Sequence, residues 1–183
     1  MQRLFAPGSP WAVPWIENTR PAVAALVAAL PERTVFTRFI PPEGQGAAPG
    51  TWARYYAEWP QMLRGRLDRE WLELLPELAR HVPPARVIDK PVYSPWHDGR
   101  LHRFLRSAGI SALAISGGET DICVLATVLG AVDLGYRVVL VSDAVCSSTD
   151  RGHDAAMTLY RQRFSQQIEA APLAEVLESW IAA

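Results

Sequence analysis

Four short runs rich in β-branched and other apolar residues recur along the chain with helical patterns between them: TVFTRF (34–39), ARVID (85–89), ALAIS (112–116) and RVVLVS (137–142). That alternation limits the fold more than any other feature. Several of these runs are apolar at nearly every position rather than at every second one, as suits strands covered on both faces. Such strands, joined by helices, make an α/β architecture with a mainly parallel sheet and right-handed crossovers. QIEA (167–170) offers a fifth, weaker strand.

The intervening segments carry helical spacing. Val23, Leu26, Val27 and Leu30 predict a first helix, with Thr19 as its N-cap and Pro21 near its first turn. Leu101, Phe104, Leu105 and Ala108 predict another, closed by Gly109. Residues 121–134 are apolar almost all round and stop at Gly135, which predicts a buried helix. Ala156, Met157, Tyr160 and Phe164 share one face of a helix around 152–165, and 173–181 forms the last. WLELLPEL (71–78) has a helical composition that Pro76 interrupts. The long connection 40–84 carries Trp52, Tyr55, Tyr56 and Trp59, which read as a folded cover rather than slack loop.

A length of 183 residues suits a single domain over 1–183. A net charge of -1 gives no electrostatic footprint for nucleic acid, and no run of Lys or Arg suits a membrane surface. No apolar stretch reaches membrane-spanning length, and MQRLFAPGSPW lacks the regions of a signal peptide. Cys123 and Cys146 make neither a disulfide framework nor a metal-ligand spacing. A reduced, cytoplasmic protein is the expectation.

Two places carry chemistry. ISGG (115–118) ends a strand, and Thr120 or Asp121 can cap the helix that follows, with Cys123 in its first turn. Free N–H groups and the helix dipole there favour a thiolate, and the same N–H groups can stabilise an oxyanion. By position alone, the inert small hydrophobe is the commoner reading of Cys123. In IDKPVYSPW (88–96), Lys90 lies at the carboxyl end of another strand, on the same sheet edge, where ligands of open α/β sheets bind.

Together, DKPVYSPW and GGETDICVLATVLGAVDLGYRVVLVSDAVCSS resemble the isochorismatase-like cysteine hydrolases, over nearly the whole chain and most specifically at 117–148. The resemblance implies a Rossmann-like sheet flanked by helices, of order 3-2-1-4-5-6. It also implies a catalytic triad of Asp, Lys and Cys, with Lys90 as the lysine and Cys123 as the nucleophile. The backbone N–H groups of Glu119 and Cys123 would form the oxyanion hole, next to a cis peptide at Gly118–Glu119. The presence of the cysteine points to the amidohydrolase branch, which cleaves a small amide, ureido or carbamoyl C–N bond through a thioester.

The family's Asp lies in a motif D-M-Q-x-x-F at the end of its first strand. Met1, Gln2 and Phe5 match, so the Asp falls one position before Met1 and strand 1 is missing from the chain as given. Its place is between TVFTRF and ALAIS, so a gap in mid-sheet is expected. Either the domain is N-terminally truncated here, or the short chain is genuine, as a degenerate, non-catalytic binding or assembly protein of the same fold or as one that fills the gap differently. Sheet energetics favour truncation. Asp121 reads as a helix cap and Asp89 as facing away from Lys90, so neither serves as a substitute acid.

The resemblance implies no cofactor. TRFIPPEGQG lacks the metal-binding Asp-x-His of nicotinamidases, so no metal is expected, and nicotinamide is disfavoured as substrate. Arg38 is read either as binding a substrate carboxylate or as pairing with an acid such as Glu43. Phe5, Trp52 and Tyr93, with Trp11, Tyr55 and Trp96, are candidates to wall a small-molecule pocket. The expected partners are a small-molecule substrate and other copies of the chain in a homo-oligomer.

Overall fold

The computed structural model describes residues 1–181. All five predicted strands are present and every pairing is parallel. Strand β1 (Val35–Phe39) lies beside β2 (Arg86–Lys90), with Val35 opposite Arg86 and Phe39 opposite Lys90. Strands β3 (Ala112–Gly118), β4 (Arg137–Cys146) and β5 (Ile168–Ala171) follow in that spatial order. β4 runs past the predicted apolar run to Cys146, through a register shift opposite Ile115–Gly117. Asp143 interrupts the apolar pattern there, and its carboxylate accepts from Leu173 N–H at 2.8 Å.

The side-chain alternation of β4 divides the core. Val139 and Val141 face helices α1 (Ile16–Ala29) and α7 (Leu173–Ile181), meeting Val23, Val27 and Val176. Val138 and Leu140 face α4 (Arg100–Ser107), α5 (Cys123–Asp133) and α6 (Asp150–Thr158), meeting Leu105, Val128, Met157 and Tyr160. Burying each such aliphatic side chain is worth about 1.5–3 kcal/mol. A third cluster of Leu4, Phe39, Tyr56, Met62 and Leu63 forms under the 40–72 segment, with Tyr56 on α2 (Trp52–Glu58). The connection is therefore a folded cover over the carboxyl end of β1.

Helix boundaries depart from expectation at three places. α1 starts three residues before Thr19, which is buried and donates its Oγ1 hydroxyl to Trp15 O at 3.2 Å instead of capping. Pro21 consequently lies inside the helix. Residues 71–78 do not form one helix. A 3₁₀ turn over Arg69–Leu72 and a short α3 (Pro76–Ala79) flank the break, with Pro76 opening the second piece, where its missing N–H costs nothing. The helix predicted around 152–165 is α6 followed by one π turn over Leu159–Arg163.

The five strands do not make one sheet. β1–β2 and β3–β4–β5 are separate, with β1 and β3 the facing edges. Between them lies a cavity of about 580 Å³ lined by Thr34–Thr37 and Ala112–Gly118 and reaching Lys90 and Cys123. Gln2 plugs its far end: the side-chain amide accepts from Phe39 N–H at 2.6 Å and donates to Phe39 O at 3.0 Å, as a neighbouring strand's peptide would. A buried backbone group left without such a partner costs about 1–3 kcal/mol.

Candidate active site

Lys90 ends β2 and Cys123 opens α5, so both lie at the carboxyl ends of the parallel strands. The Lys90 side chain is buried. Its Nζ donates to Tyr93 O at 2.6 Å and Val92 O at 3.2 Å, and lies 5.6 Å above the Phe39 ring. It is close enough to Cys123 for the ammonium and the sulfur to influence each other's ionisation. Burial pushes the Cys123 thiol up from its ordinary pKa, and the Lys90 charge pulls the other way without overcoming it. Lys90 is lowered by the same burial, opposed by Cys123. A resting thiolate favoured by the helix start and the lysine was the expectation. In the structure desolvation outweighs the pull of the lysine, and the thiol form is favoured.

The loop into α5 is held by partners that are far away in sequence. Gly118–Glu119 is a cis peptide. Thr120 is fully buried: its N–H donates to Cys146 O at 2.8 Å, its O accepts from the Tyr160 hydroxyl at 2.7 Å, and its Oγ1 lies 2.9 Å from His153 Nδ1. Asp121 accepts from the Ser147 hydroxyl. Neither residue caps α5, which starts at Ile122 without a side-chain cap, because both side chains are committed to this network. The Glu119 N–H is directed at the Cys123 sulfur. Among the described residues, neither it nor the Cys123 N–H is paired with a backbone carbonyl, so both are free to donate to an oxygen near Sγ.

Trp52 and Tyr93 meet with ring centroids 4.8 Å apart, and Tyr55 stands 5.5 Å from Trp52. Burial first, then the nearby Tyr93, Glu119 and Cys123, pushes the Tyr55 phenol up to about 12, so its hydroxyl stays protonated and able to donate. Phe5 lines the cavity between the sheets. Arg38 is not free. Its Nε and Nη2 donate to the two Asp89 carboxylate oxygens at 2.8 and 3.0 Å, and Nη1 donates to Glu73 at 2.8 Å. This is the ion-pair reading of Arg38, with different acids from the one expected, since Glu43 pairs with Arg64 at 2.6 Å. Asp89 is thereby turned away from Lys90, and among the described residues Lys90 forms no ion pair with a carboxylate. Nor, among the described residues, does any group of three or more His, Cys, Asp or Glu side chains stand ready to hold a metal ion.

A family model described as the isochorismatase domain matches residues 1–172. The chain belongs to the isochorismatase family. An uncharacterised isochorismatase family protein, PncA, of Bacillus subtilis (strain 168) is 33% identical over 112 residues, covering 60% of this chain and 61% of that protein. The match thus spans under two thirds of that relative's length. Among solved structures, an isochorismatase family protein from Desulfovibrio vulgaris superposes with a TM-score of 0.82 at 23% identity, over 100% of this chain and 95% of that one. The N-carbamoylsarcosine amidase of Thermoplasma acidophilum superposes with a TM-score of 0.74 at 21% identity, covering 94% and 92% of the two chains. These likenesses establish the Rossmann-like α/β fold, and the family includes hydrolases of amide C–N bonds. No helix among the described residues is long and apolar enough to cross a membrane.

The loop-holding residues Thr120, His153 and Tyr160 escaped sequence reasoning, because contacts across 33 and 40 positions leave no local spacing to read.

Proposed function

We propose that the protein is a cysteine hydrolase of a small amide, ureido or carbamoyl compound. One observation carries the reading: the free-thiol Cys123 stands at a helix start beside a buried lysine and the Glu119 and Cys123 N–H groups, neither of which is taken by a backbone carbonyl among the described residues. Cys123 Sγ, on losing its proton, bonds to the substrate carbonyl carbon, and the Glu119 and Cys123 N–H groups receive the oxygen as it gains charge. The C–N bond then breaks, the nitrogen leaves with a proton as ammonia or an amine, and a thioester remains. Water adds to the thioester carbonyl, the C–S bond breaks, and acid and thiol are regenerated. Lys90 stabilises the negative sulfur in both halves.

The raised thiol calls for a base to take its proton. The family resemblance assigns that role to an Asp directly before Met1, and Asp89, Asp121 and Glu119 are each engaged elsewhere. Among the described residues no carboxylate pairs with Lys90, which favours a second reading for the chain as given, a non-catalytic binding protein of the same fold.

Ammonia release from a panel of neutral amides, ureido acids and N-carbamoyl amino acids separates the two readings. It is measured on the chain as given and on a chain extended by a β-prone segment ending in Asp. Turnover by either form, lost by more than about 10³-fold in Cys123→Ser and Lys90→Met, is the expected result. Ligand binding without turnover in both forms would establish the binding protein instead.

A further inference from the structure

A second cavity, of about 540 Å³, opens between the folded cover and α5. Thr51, Trp52 and Tyr55 reach it from the start of α2, Tyr93 and Ser94 from the loop after β2, and Ala126 from α5, one turn beyond Cys123. Trp52 is the centre of its aromatic part. The Tyr93 ring lies 4.8 Å from Trp52 and is inclined to it by 55°. The Tyr55 ring lies 5.5 Å away and is inclined by 77°. Rings at such angles do not cover one another as a parallel stack would, and they leave π surface turned to the space they share. An aromatic face attracts a cation within about 6 Å of its centroid, and several faces around one space suit an ammonium group. The same cluster already holds one ammonium: Lys90 Nζ lies 5.6 Å above the Phe39 ring, which stands 6.1 Å from Trp52.

Charge decides which ligand this wall favours. No Lys, Arg or His lines the cavity. Arg38 is committed to Asp89 and Glu73, and Lys90 is buried, with its ammonium donating to the Tyr93 and Val92 carbonyls. Negative charge is closer at hand. The Glu119 carboxylate accepts from Ser148 N–H at 2.9 Å and forms no ion pair among the described residues. Burial raises the Tyr93 phenol from its ordinary value, and Cys123 and Glu119 add to the effect, so the charges that reach this ring are negative. An anion in the cavity would meet a carboxylate and no free cation. A neutral group gains apolar contact alone, whereas a cation gains the ring faces and the carboxylate together.

We infer that this pocket seats the ammonium group of a cationic amide whose carbonyl lies at Cys123. The inference deepens the hydrolase reading and rests on it, because Cys123 as the reacting group sets which end of the substrate enters the pocket. Ureido acids and N-carbamoyl amino acids are then the poorer substrates, since their carboxylate finds no free cation there.

Three primary amides of matched size test it: the trimethylammonium derivative of propanamide, its neutral tert-butyl isostere, and the anion succinamate. Binding is measured by calorimetry on Cys123→Ser, so that no turnover intervenes. The cation is expected to bind at least about tenfold more tightly than the isostere, with succinamate the weakest. Two further substitutions, each added to Cys123→Ser, locate the site. Glu119→Gln keeps an oxygen for Ser148 N–H, and Tyr93→Leu alters a residue that is 37% exposed, so both suit a folded protein. Each should lower the preference for the cation at least about threefold and change isostere binding by less than about twofold. Equal affinity for cation and isostere, tightest binding of succinamate, or no binding of the cation overturns the inference. So does a preference that both substitutions leave unchanged, because the cation would then sit elsewhere. Ammonia release by the parent is read separately. Cation-selective binding without release removes the hydrolase reading and leaves the ammonium pocket in place. Release from the cation and the isostere at equal kcat/KM does the reverse.

Discussion

Cys123 and Lys90 form a pair in which burial drives each toward its neutral form while each charge supports the other. The thiol's raised pKa sets a pH dependence. The thiolate fraction at any given pH is lower than for a free cysteine, so iodoacetamide labelling of Cys123 should rise through a midpoint above that of a free thiol. Lys90→Met removes the positive charge that opposes burial and should move that midpoint further up. Labelling that persists well below pH 8 would show that charge, not desolvation, governs the sulfur. Arg38 belongs to this scale too, as a structural residue. Arg38→Ala is expected to cost about 0.5–1 kcal/mol in denaturant unfolding, by releasing the half-exposed Asp89 and the exposed Glu73, and to leave the Cys123 labelling rate unchanged. A slower labelling rate would place Arg38 at the site after all. Cys123 and Lys90 were legible in the sequence because each is fixed by its own element, one at a helix start and one at a strand end. The partners of Arg38 were not. Glu73 lies 35 positions away in a segment whose helical composition is broken by Pro76, and Asp89 reaches Arg38 only through the β1–β2 register.

The position of the nucleophile depends on how α5 is seated. Trp96, in the loop after β2, lays its indole across the helix, and its Nε1 donates to Thr127 O at 2.9 Å. Gly130 makes this approach possible, since a Cβ there would stand 2.7 Å from that same nitrogen. Gly130→Val should therefore displace Trp96 and lower Tm by several degrees. Gly130→Ala should fall between it and the parent in the same thermal melt, and a Gly130→Val protein melting with the parent would contradict this seating of the helix. The near-continuous apolar runs made the strands and the buried character of α5 readable. The caps were not readable, because Thr19, Thr120 and Asp121 are good capping residues whose side chains are taken by Trp15, His153 and Ser147 instead. Capping propensity gives way where another partner, one turn back for Thr19 and far along the chain for Thr120 and Asp121, takes the same atom.

At the scale of the molecule, two half-sheets share a helical casing, and the site lies where their carboxyl ends converge on the cavity between them. The proposed nucleophile, its supporting cation and the proposed oxyanion pocket all come from residues 90–123, at the carboxyl ends of β2 and β3. Trp52 and Tyr55 on the folded cover and Tyr93 in the loop after β2 form an aromatic wall near these residues, the proposed wall for a small substrate.

Acid-quenched intact-mass analysis during turnover of an amide substrate, on the chain extended by a strand ending in Asp, tests the central claim most directly. The account predicts an adduct equal in mass to the acyl group, mapped to the peptide containing Cys123, released by hydroxylamine and absent in Cys123→Ser. Hydrolysis that proceeds equally in Cys123→Ser, or turnover in the parent without any adduct on that peptide, would contradict it.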